Sequence, residues 1–478
     1  MVIWEMFDNL VSTVVSSLFL LTVVITIVVV ILDNRNPVKT LAWVLVLSFL
    51  PVIGLIFYFF FGRDVRREKL ISKRGYFRLT KYPLAEYYEQ KSSEYTDDQH
   101  PLKRFFRKVN EALPFDGNSV QVYTSGHEML QSLLQAIANA KHHIHLQFYI
   151  FEDDAVGRLV RDALIEKVRE GVEVRLLYDD VGCWKVDQSF YEKMREAGIE
   201  TRGFLKVRFP MFTSKVNYRN HRKVVVIDGR VGFVGGMNLA LRYLKGVKWG
   251  IWRDTHTRIE GRAVYGLQIA FLSDWYAADH SLITSSRYYP DMPVCGESSI
   301  QIVTSNPIGG VETIMQGLLI AITGSQKYFY IQTPYLLPTE PILLALRTAA
   351  LGGVDVRIMI PERADSRITH LASLSYLDEL MQSGVKIYRY NKGFLHSKVM
   401  VSDDVLSTVG STNMDFRSFE HNFEVNAFMY DRESALKMKS IFLDDQKDAD
   451  LVQLKEWRMR PWYQKVAESV IRLFAPLL

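Results

Sequence analysis

The chain has 478 residues, of which 48% are hydrophobic and 23% are charged, and its formal net charge is +5. This length predicts about two to four structural units, and the small positive charge suits an anionic surface or a phosphate-bearing substrate without requiring either. Only two cysteines occur, Cys183 and Cys295, and they stand far apart with no CxxC spacing. A disulfide framework and a zinc ribbon are therefore disfavoured, and a reducing compartment is indicated.

The first predicted elements are two transmembrane helices. The runs Leu10–Leu32 and Leu41–Phe61 contain no charged residue, and each is long enough to cross a hydrocarbon core of about 30 Å as a helix. A cleaved signal peptide is the alternative for the first run. It is disfavoured because a signal peptide begins with basic residues, whereas Met1–Asn9 carries Glu5 and Asp8 and no Lys or Arg.

Basic residues follow the second run, and they are Arg63, Arg66, Arg67, Lys69, Lys73 and Arg74. Positive charge stays on the cytoplasmic side of a membrane, so both termini and the body of the protein are predicted to be cytoplasmic. The chain would then be a multi-pass protein of the cell membrane. Residues 1–66 would form a transmembrane hairpin, and the polar residues 67–110 a linker or a cap over the body.

The rest of the chain reads as two related halves, residues 111–285 and 286–450. The run Gly171–Leu177 (GVEVRLL) resembles Gly353–Met359 (GVDVRIM). A strand-like run precedes each copy, and a helix-like segment follows it. This alternation predicts an α/β fold in which two pseudo-symmetric halves, each a β-sheet flanked by helices, meet face to face.

The repeat is sharpest in a motif that both halves share. It reads H-x-K, four residues, D, six residues, then G-[GS]-x-N. Its positions are His221, Lys223, Asp228, Gly235, Gly236 and Asn238 in the first half and His396, Lys398, Asp403, Gly410, Ser411 and Asn413 in the second. A lone histidine in a strand is usually structural, but six defined positions repeated at identical spacing make a strong signal.

We expect each motif to place its polar groups at one spot. Val224–Ile227 is strongly β-forming and the following Asp-Gly pair favours a hairpin. His221 and Lys223 would then project from the same face of a strand, with Asn238 delivered beside them by the return strand. Two such spots facing each other would bind a phosphodiester. One histidine would attack phosphorus and the other would protonate the leaving alcohol, while the Lys and Asn side chains hold the non-bridging oxygens.

The two motif aspartates, Asp228 and Asp403, are candidate catalytic residues together with the histidines and lysines, and they also have a structural interpretation. Aspartate is favoured at hairpin turns for local reasons, and both Asp228 and Asp403 fall at predicted turns. We therefore interpret them as structural residues that pair with the opposite half, in preference to proton carriers.

The duplicated motif resembles the HKD signature of the phospholipase D superfamily. That resemblance implies a covalent phosphohistidine intermediate and chemistry that requires no metal or other cofactor. It also implies that Asp254, in Trp252–Asp254, and Glu424, in Asn422–Glu424, orient the catalytic imidazoles by hydrogen bonding. The two apolar spans and the run Phe394–Lys398 are similar to those of bacterial cardiolipin synthases.

Membership of that family would make the chain a phosphatidyltransferase whose partners are phosphatidylglycerol and an anionic membrane. The resemblance implies that His221 attacks the phosphorus of one phosphatidylglycerol and expels glycerol, with His396 as the general acid. His396 would then act as the base on the hydroxyl of a second phosphatidylglycerol, which attacks the phosphohistidine and yields cardiolipin. An imidazole pKa of about 6.5 suits both tasks near neutral pH.

Residues 451–478 are predicted to form an amphipathic segment. Val466, Val470, Leu473 and Leu477 fall on one helical face, among tryptophans and basic residues. Such a helix either lies on an anionic bilayer surface or packs on the core, and the sequence favours neither.

Other interpretations of the site stay open. A hydrolytic phospholipase D, or a phosphatidyltransferase with another alcohol acceptor, would use the same motifs. A nuclease would favour a strongly basic groove and has no use for two spans, so nucleic acid is not expected as a partner. An inactive scaffold is disfavoured by the intact motifs. His143 and His145 would share a strand face, but no cysteine or carboxylate completes a metal set. Arg417 and Ser418 either contact the head group or cap a helix.

Overall fold

The computed structural model describes residues 2–32, 37–58, 78, 100–206, 217–308 and 311–478. Two compact units make up the chain, an amino-terminal unit and a large unit that contains both halves of the repeat. The large unit alternates strands with helices, and most of its strands belong to one sheet. The predicted α/β fold is therefore confirmed.

The described part of the amino-terminal unit is helical. Its helices are α1 (Val2–Leu32), α2 (Pro37–Phe49) and α3 (Pro51–Phe57). Among the described helices only α1 is long and apolar enough to cross a membrane, over Leu10–Leu32. The hydroxyls of Thr22 and Thr26 donate to backbone carbonyls one turn earlier, at 2.8 and 2.7 Å. These polar groups are thus satisfied within the helix, as a lipid environment requires.

The second predicted span, Leu41–Phe61, covers α2 and α3. The helix is interrupted at Leu50, where φ is −132° and ψ is 62°, directly before Pro51. Proline favours the first turn of a new helix because it has no N–H to donate and its φ is already helical. Residues 59–61 lie outside the described residues, so the second span stays a prediction.

The large unit contains fourteen further α-helices in its described residues. They are α4 (Pro101–Asn110), α5 (Gly126–Ala138), α6 (Ala155–Arg169), α7 (Gln188–Glu196), α8 (Arg242–Lys245), α9 (Val264–Asp279), α10 (Thr313–Gly324), α11 (Glu340–Leu351), α12 (Arg367–Leu374), α13 (Leu377–Gln382), α14 (Phe416–Glu420), α15 (Arg432–Gln446), α16 (Leu454–Arg458) and α17 (Trp462–Arg472).

The strands of the first half are β1 (Pro114–Tyr123), β2 (His143–Phe148), β3 (Glu173–Asp179), β4 (Glu200–Phe204), β5 (Arg219–Asn220), β6 (Val224–Ile227), β7 (Val231–Gly235), β8 (Ile251–Arg253) and β9 (His256–Glu260). Those of the second half are β10 (Ser298–Ser305), β11 (Tyr328–Gln332), β12 (Leu336–Leu337), β13 (Asp355–Pro361), β14 (Lys386–Tyr390), β15 (Gly393–Leu395), β16 (Val399–Ser402), β17 (Leu406–Gly410), β18 (Met414–Asp415), β19 (Asn422–Met429) and β20 (Ala449–Leu451).

The two halves share one strand order. From the middle of the large sheet outward, the first half runs β1-β9-β7-β6-β2-β3-β4 and the second runs β10-β19-β17-β16-β11-β13-β14. This confirms the pseudo-symmetry. The repeated runs GVEVRLL and GVDVRIM lead into β3 and β13, which occupy equivalent positions in this order.

The halves join edge to edge, because β1 pairs antiparallel with β10 and makes the sheet continuous. The expectation that the halves meet face to face is therefore wrong for the sheets. The reason is apolar burial on both sides of the junction. Phe115 of β1 stands opposite Ile300 of β10, and both belong to a core cluster that also contains Val234 and Val425.

The end of the predicted linker or cap is a packed helix. Helix α4 buries Leu102 and Phe106. The Phe106 ring lies 4.6 Å, between centroids, from that of Phe428 on β19. Residues 67–77 and 79–99 of the predicted linker lie outside the described residues.

Candidate active site

Each motif histidine is placed by backbone pairing with the opposite half. Strand β5 pairs in parallel with the start of β19, and β15 pairs in parallel with β8. The backbone N–H of His221 donates to the carbonyl of Phe423 at 3.0 Å, and that of His396 donates to the carbonyl of Arg253 at 2.7 Å. The residues from His to Lys in each motif thus precede β6 and β16. The expectation that His221 and Lys223 lie on the strand itself is wrong, because their backbone turns toward the other half.

The backbone pairing of each motif with the opposite half brings each histidine to a buried carboxylate. His221 Nδ1 lies 3.0 and 3.1 Å from the two carboxylate oxygens of Glu424. His396 Nδ1 lies 2.6 Å from Asp254 Oδ2. Both carboxylates are fully buried. The two predicted orienting residues are therefore in hydrogen-bond contact with the imidazoles, and each acts across the junction on the histidine of the other half. Because Nδ1 is engaged, Nε2 is the ring nitrogen left for a substrate.

Burial determines the charge state of these histidines. It lowers the pKa of His221 and the pKa of His396 from 6.5 to about 4, although the neighbouring carboxylates act in the opposite direction. Burial would raise the pKa of Glu424 and of Asp254, but the adjacent positive groups outweigh it and lower both. Burial therefore favours the neutral form of both imidazoles, in which one ring nitrogen is unprotonated. An anionic phosphate bound beside them would raise their pKa again, which prepares one of them to act as an acid.

The motif lysines are buried and turn toward their own motif. Lys223 Nζ donates to the carbonyl of His221 at 2.6 Å. Lys398 Nζ donates to the carbonyl of His396 and lies 2.8 Å from its Nδ1. Burial lowers the pKa of Lys398 to about 8 and the pKa of Lys223 well below its usual value. Their predicted contact with phosphate oxygens stays a prediction.

The motif asparagines differ in how the protein engages them. Asn238 accepts from the backbone N–H of Ile150 at 3.0 Å and donates to the Tyr243 hydroxyl at 2.6 Å. The buried Oδ1 of Asn413 has no hydrogen-bond partner among the described residues. Of the two motif asparagines, Asn413 is therefore the one whose side-chain oxygen has no partner in the described part of the chain.

One cavity of about 370 Å³ contains both histidines and both motif asparagines. Both halves contribute to its wall. The other polar side chains that line it include Arg219, Arg242, Arg417, Asn422, Asp365 and Asp415. The structure thus brings together four of the ten predicted site residues at the cavity surface. The two lysines, Asp254 and Glu424 lie behind the histidines.

The motif aspartates lie outside this cavity, at the turns that the sequence predicted. Their φ angles are 55° for Asp228 and 56° for Asp403, in the left-handed region. Asp228 accepts hydrogen bonds of 2.8–3.0 Å from the backbone N–H groups of residues 141–143. Asp403 accepts bonds of 2.6–2.9 Å from those of residues 326–328. The predicted pairing with the opposite half is therefore wrong, since each aspartate fixes the start of a neighbouring strand in its own half.

The single difference between the two motifs has a local cause. A Cβ atom at Gly236 would lie 2.1 Å from Asp254 Oδ1, so the first motif needs glycine for close approach. At the equivalent position of the second motif, the Ser411 hydroxyl donates to Glu424. Glycine and serine therefore both accommodate the carboxylate that holds the histidine.

The sequence analysis did not predict the aromatic residues that surround the histidines. The Tyr149 ring lies 5.1 Å, between centroids, from that of His221, and the Trp252 ring lies 5.3 Å from that of His396. Tyr335 also lines the cavity. Tyr149 and Tyr335 follow the equivalent strands β2 and β11, so a search of the positions just after the repeated strands would have found them.

Comparisons with known proteins find similar chains. The family model "Cardiolipin synthase, PLD-like domain" matches residues 133–248 and 318–446, and the model "Phospholipase_D-nuclease N-terminal" matches residues 20–63. The cardiolipin synthase of Geobacillus sp. (strain WCH70) is 40% identical over 96% of this chain and 92% of its own length. The major cardiolipin synthase of Bacillus subtilis (strain 168) is 40% identical over 98% of this chain and 99% of its own. The crystal structure of phosphatidylserine synthase from Haemophilus influenzae Rd KW20 covers 79% of the chain with a TM-score of 0.60 and 16% identity, which shows the fold alone.

Proposed function

We propose that this chain, which belongs to the cardiolipin synthase family of phosphatidyltransferases, condenses two phosphatidylglycerol molecules into cardiolipin and glycerol through a phosphohistidine intermediate. It is a membrane enzyme that acts on phospholipids. The observation that supports the mechanism is the pair of imidazoles in one cavity, each held by a buried carboxylate from the other half.

The first step forms the covalent intermediate. Nε2 of His221, which the resemblance assigns as the nucleophile, attacks the phosphorus of one phosphatidylglycerol. The bond between phosphorus and the glycerol oxygen breaks, and the glycerol oxygen takes a proton from His396, which enters this step as the imidazolium because the bound phosphate anion raises its pKa. Glu424 stabilises the positive charge on the first ring, as the carboxylate of a catalytic triad does. Free glycerol leaves the cavity.

The second step transfers the phosphatidyl group to lipid. The hydroxyl of a second phosphatidylglycerol gives its proton to His396 and attacks the phosphohistidine. The P–N bond breaks, cardiolipin forms, and His221 returns to its neutral state. Protons and electron pairs balance over the two steps without any further group, because the two histidines supply both the nucleophile and the acid and base.

The reaction is tested with the purified full-length protein in phosphatidylglycerol vesicles that contain a metal chelator. We expect cardiolipin and glycerol to form in equal amounts, measured by mass spectrometry and by counting glycerol released from head-group-labelled lipid. Phosphatidic acid in place of cardiolipin would make the protein a hydrolase that uses the same intermediate. Absence of any lipid turnover would contradict the proposed function.

The membrane topology is part of the proposal. The apolar run in α1 and the basic residues after the second predicted span support a multi-pass arrangement with the large unit in the cytoplasm.

The carboxyl-terminal segment supports an anionic membrane as the partner of the large unit. Helix α17 packs inward with Glu468, while Val466 and Val470 on its other side are each 49% exposed. Trp462 is 74% exposed and Leu473 is 78% exposed. A continuous apolar face with a tryptophan is typical of helices that lie in the bilayer interface, and Lys455, Arg458 and Lys465 supply positive charge nearby. Leu478, just beyond this helix, lines the cavity that contains both histidines.

We expect the double substitution Trp462→Ser and Leu473→Ser to lower cardiolipin formation in phosphatidylglycerol vesicles about tenfold or more. Each large apolar side chain contributes about 1.5–3 kcal/mol when it leaves water. The matched control is Leu351→Ser, which alters a side chain that is 71% exposed on α11. An equal loss of activity on monomeric short-chain phosphatidylglycerol would contradict the membrane role, because that substrate needs no bilayer contact.

A further inference from the structure

Condensing two phosphatidylglycerols places a special demand on the cavity. The acceptor is itself a phosphodiester anion, and its hydroxyl must reach the phosphorus of the phosphohistidine. Two phosphates separated by one glycerol therefore occupy the site together during the transfer. Their repulsion in a partly dehydrated cavity is unfavourable unless a second positive group meets the acceptor phosphate. Hydrolysis makes no such demand, because water carries no phosphate.

Three guanidinium groups line the cavity, those of Arg219, Arg242 and Arg417. The first two have acidic partners. Arg219 is buried and lies 3.4 Å from Asp179, and Arg242 forms an ion pair with Glu152. The guanidinium of Arg417 makes no hydrogen bond or ion pair with any residue in the described part of the chain. It is half-buried, so it is partly desolvated and still open to the cavity.

The backbone that carries Arg417 is fixed relative to the catalytic motif. Arg417 lies on α14, four residues after Asn413. The Asp415 carboxylate accepts from the N–H of Ser418 at 2.7 Å, and the Ser418 hydroxyl accepts from the N–H of Asn413 at 3.2 Å. The loop from the motif to Arg417 is therefore held by its own hydrogen bonds, which fixes the backbone that carries the guanidinium at the cavity wall.

The two carboxylates that line the cavity, those of Asp415 and Asp365, have partners other than Arg417, which leaves its guanidinium available to an anionic ligand. Burial raises the pKa of Asp415 to about 6, and Arg417 opposes that rise only weakly. Asp415 is already engaged as the cap of α14. The other carboxylate that lines the cavity, Asp365, is exposed and accepts from the Tyr335 hydroxyl at 2.8 and 2.9 Å.

We propose that Arg417 binds the phosphate of the acceptor phospholipid. The cavity then holds two phosphodiesters, the reacting one between the histidines and the second at Arg417. Guanidinium suits this task because its planar array of N–H groups donates two parallel hydrogen bonds to a phosphate. Arg417 forms and breaks no covalent bond, and it selects lipid over water or a small alcohol as the acceptor. This inference rests on the proposed function.

The test measures the choice of acceptor separately from the formation of the phosphohistidine. Full-length wild type, Arg417→Gln and Arg417→Lys are placed in phosphatidylglycerol vesicles with labelled free glycerol. Entry of the label into phosphatidylglycerol reports transfer to an acceptor that has no phosphate, through the same phosphohistidine. Cardiolipin reports transfer to the phosphate-bearing acceptor. The matched control is Arg432→Gln, which removes an exposed arginine of α15 outside the cavity lining.

We expect Arg417→Gln to lower the ratio of cardiolipin to labelled phosphatidylglycerol about tenfold or more, because a charge-assisted pair of hydrogen bonds is lost. Arg417→Lys should keep an intermediate ratio, since it retains the charge without the planar pair of donors. An unchanged ratio would overturn the inference, whether both activities persist or both fall equally. Wild-type protein that incorporates label but forms no cardiolipin would instead contradict the proposed function.

Discussion

His221→Ala is expected to abolish glycerol release and cardiolipin formation, with a loss of about 10⁴-fold or more, because it removes the proposed nucleophile. His396→Ala lowers both by about 10²- to 10⁴-fold, because the leaving glycerol oxygen and the attacking hydroxyl lose their proton donor and acceptor. The measurement is product formation in phosphatidylglycerol vesicles. His127→Ala, which alters an exposed histidine on α5, is the matched control and should retain wild-type rates.

An activated substrate distinguishes the two histidines. In a phosphatidyl ester of 4-nitrophenol, the leaving group departs as the 4-nitrophenolate anion and needs no proton. His396→Ala should therefore regain release of 4-nitrophenolate from this substrate, while His221→Ala does not. Rescue of His221→Ala in place of His396→Ala would reverse the assigned roles. Full activity of either variant with phosphatidylglycerol would contradict the two-histidine mechanism.

Asp228→Ala and Asp403→Ala are expected to reduce stability and to leave the chemistry in place. Each carboxylate accepts three backbone N–H groups at the start of a buried strand, and each residue has a positive φ. Losing these acceptors and placing alanine in the left-handed region costs about 2–4 kcal/mol in the free energy of unfolding. The measurement is urea-induced unfolding of the full-length protein in detergent.

Asparagine at the same positions separates a structural role from a catalytic one. Asp228→Asn keeps one carbonyl acceptor and a side chain that tolerates a positive φ, so its loss of stability should be about half that of Asp228→Ala. Asp116→Ala, at an exposed aspartate of β1, is the control. Activity per folded molecule should stay within a few-fold of wild type for all these variants. Loss of activity at unchanged stability would return the motif aspartates to the catalytic mechanism.

The crossed pairing of the histidines has a consequence for the two halves. His221 meets Glu424 of the second half, and His396 meets Asp254 of the first. Neither half alone contains a histidine with its orienting carboxylate. The duplication therefore does not produce two independent sites. It produces one site in which each half completes the other.

The sequence by itself determined the repeat, the α/β alternation and the residues that we propose carry the chemistry. These features depend on local order along the chain. Each of these patterns extends over only a short stretch of the chain, as in the strand-forming runs, the turn-forming Asp residues and the spacing from His221 to Asn238. They can therefore be recognised in the sequence without the tertiary structure. The resemblance to a known family, which rests on the duplicated motif, also predicted Asp254 and Glu424 as the residues that orient the imidazoles.

Only the tertiary structure decided how these pieces meet. The edge-to-edge joining of β1 and β10, the departure of the motif histidines from the sheet and their pairing with the opposite half depend on contacts between residues far apart in the chain. The Arg417 guanidinium, which has no hydrogen-bond or ion-pair partner among the described residues, became visible for the same reason, because the ion pairs of its neighbours form between distant segments. Local sequence fixes which groups are available, and long-range packing fixes which of them face one another.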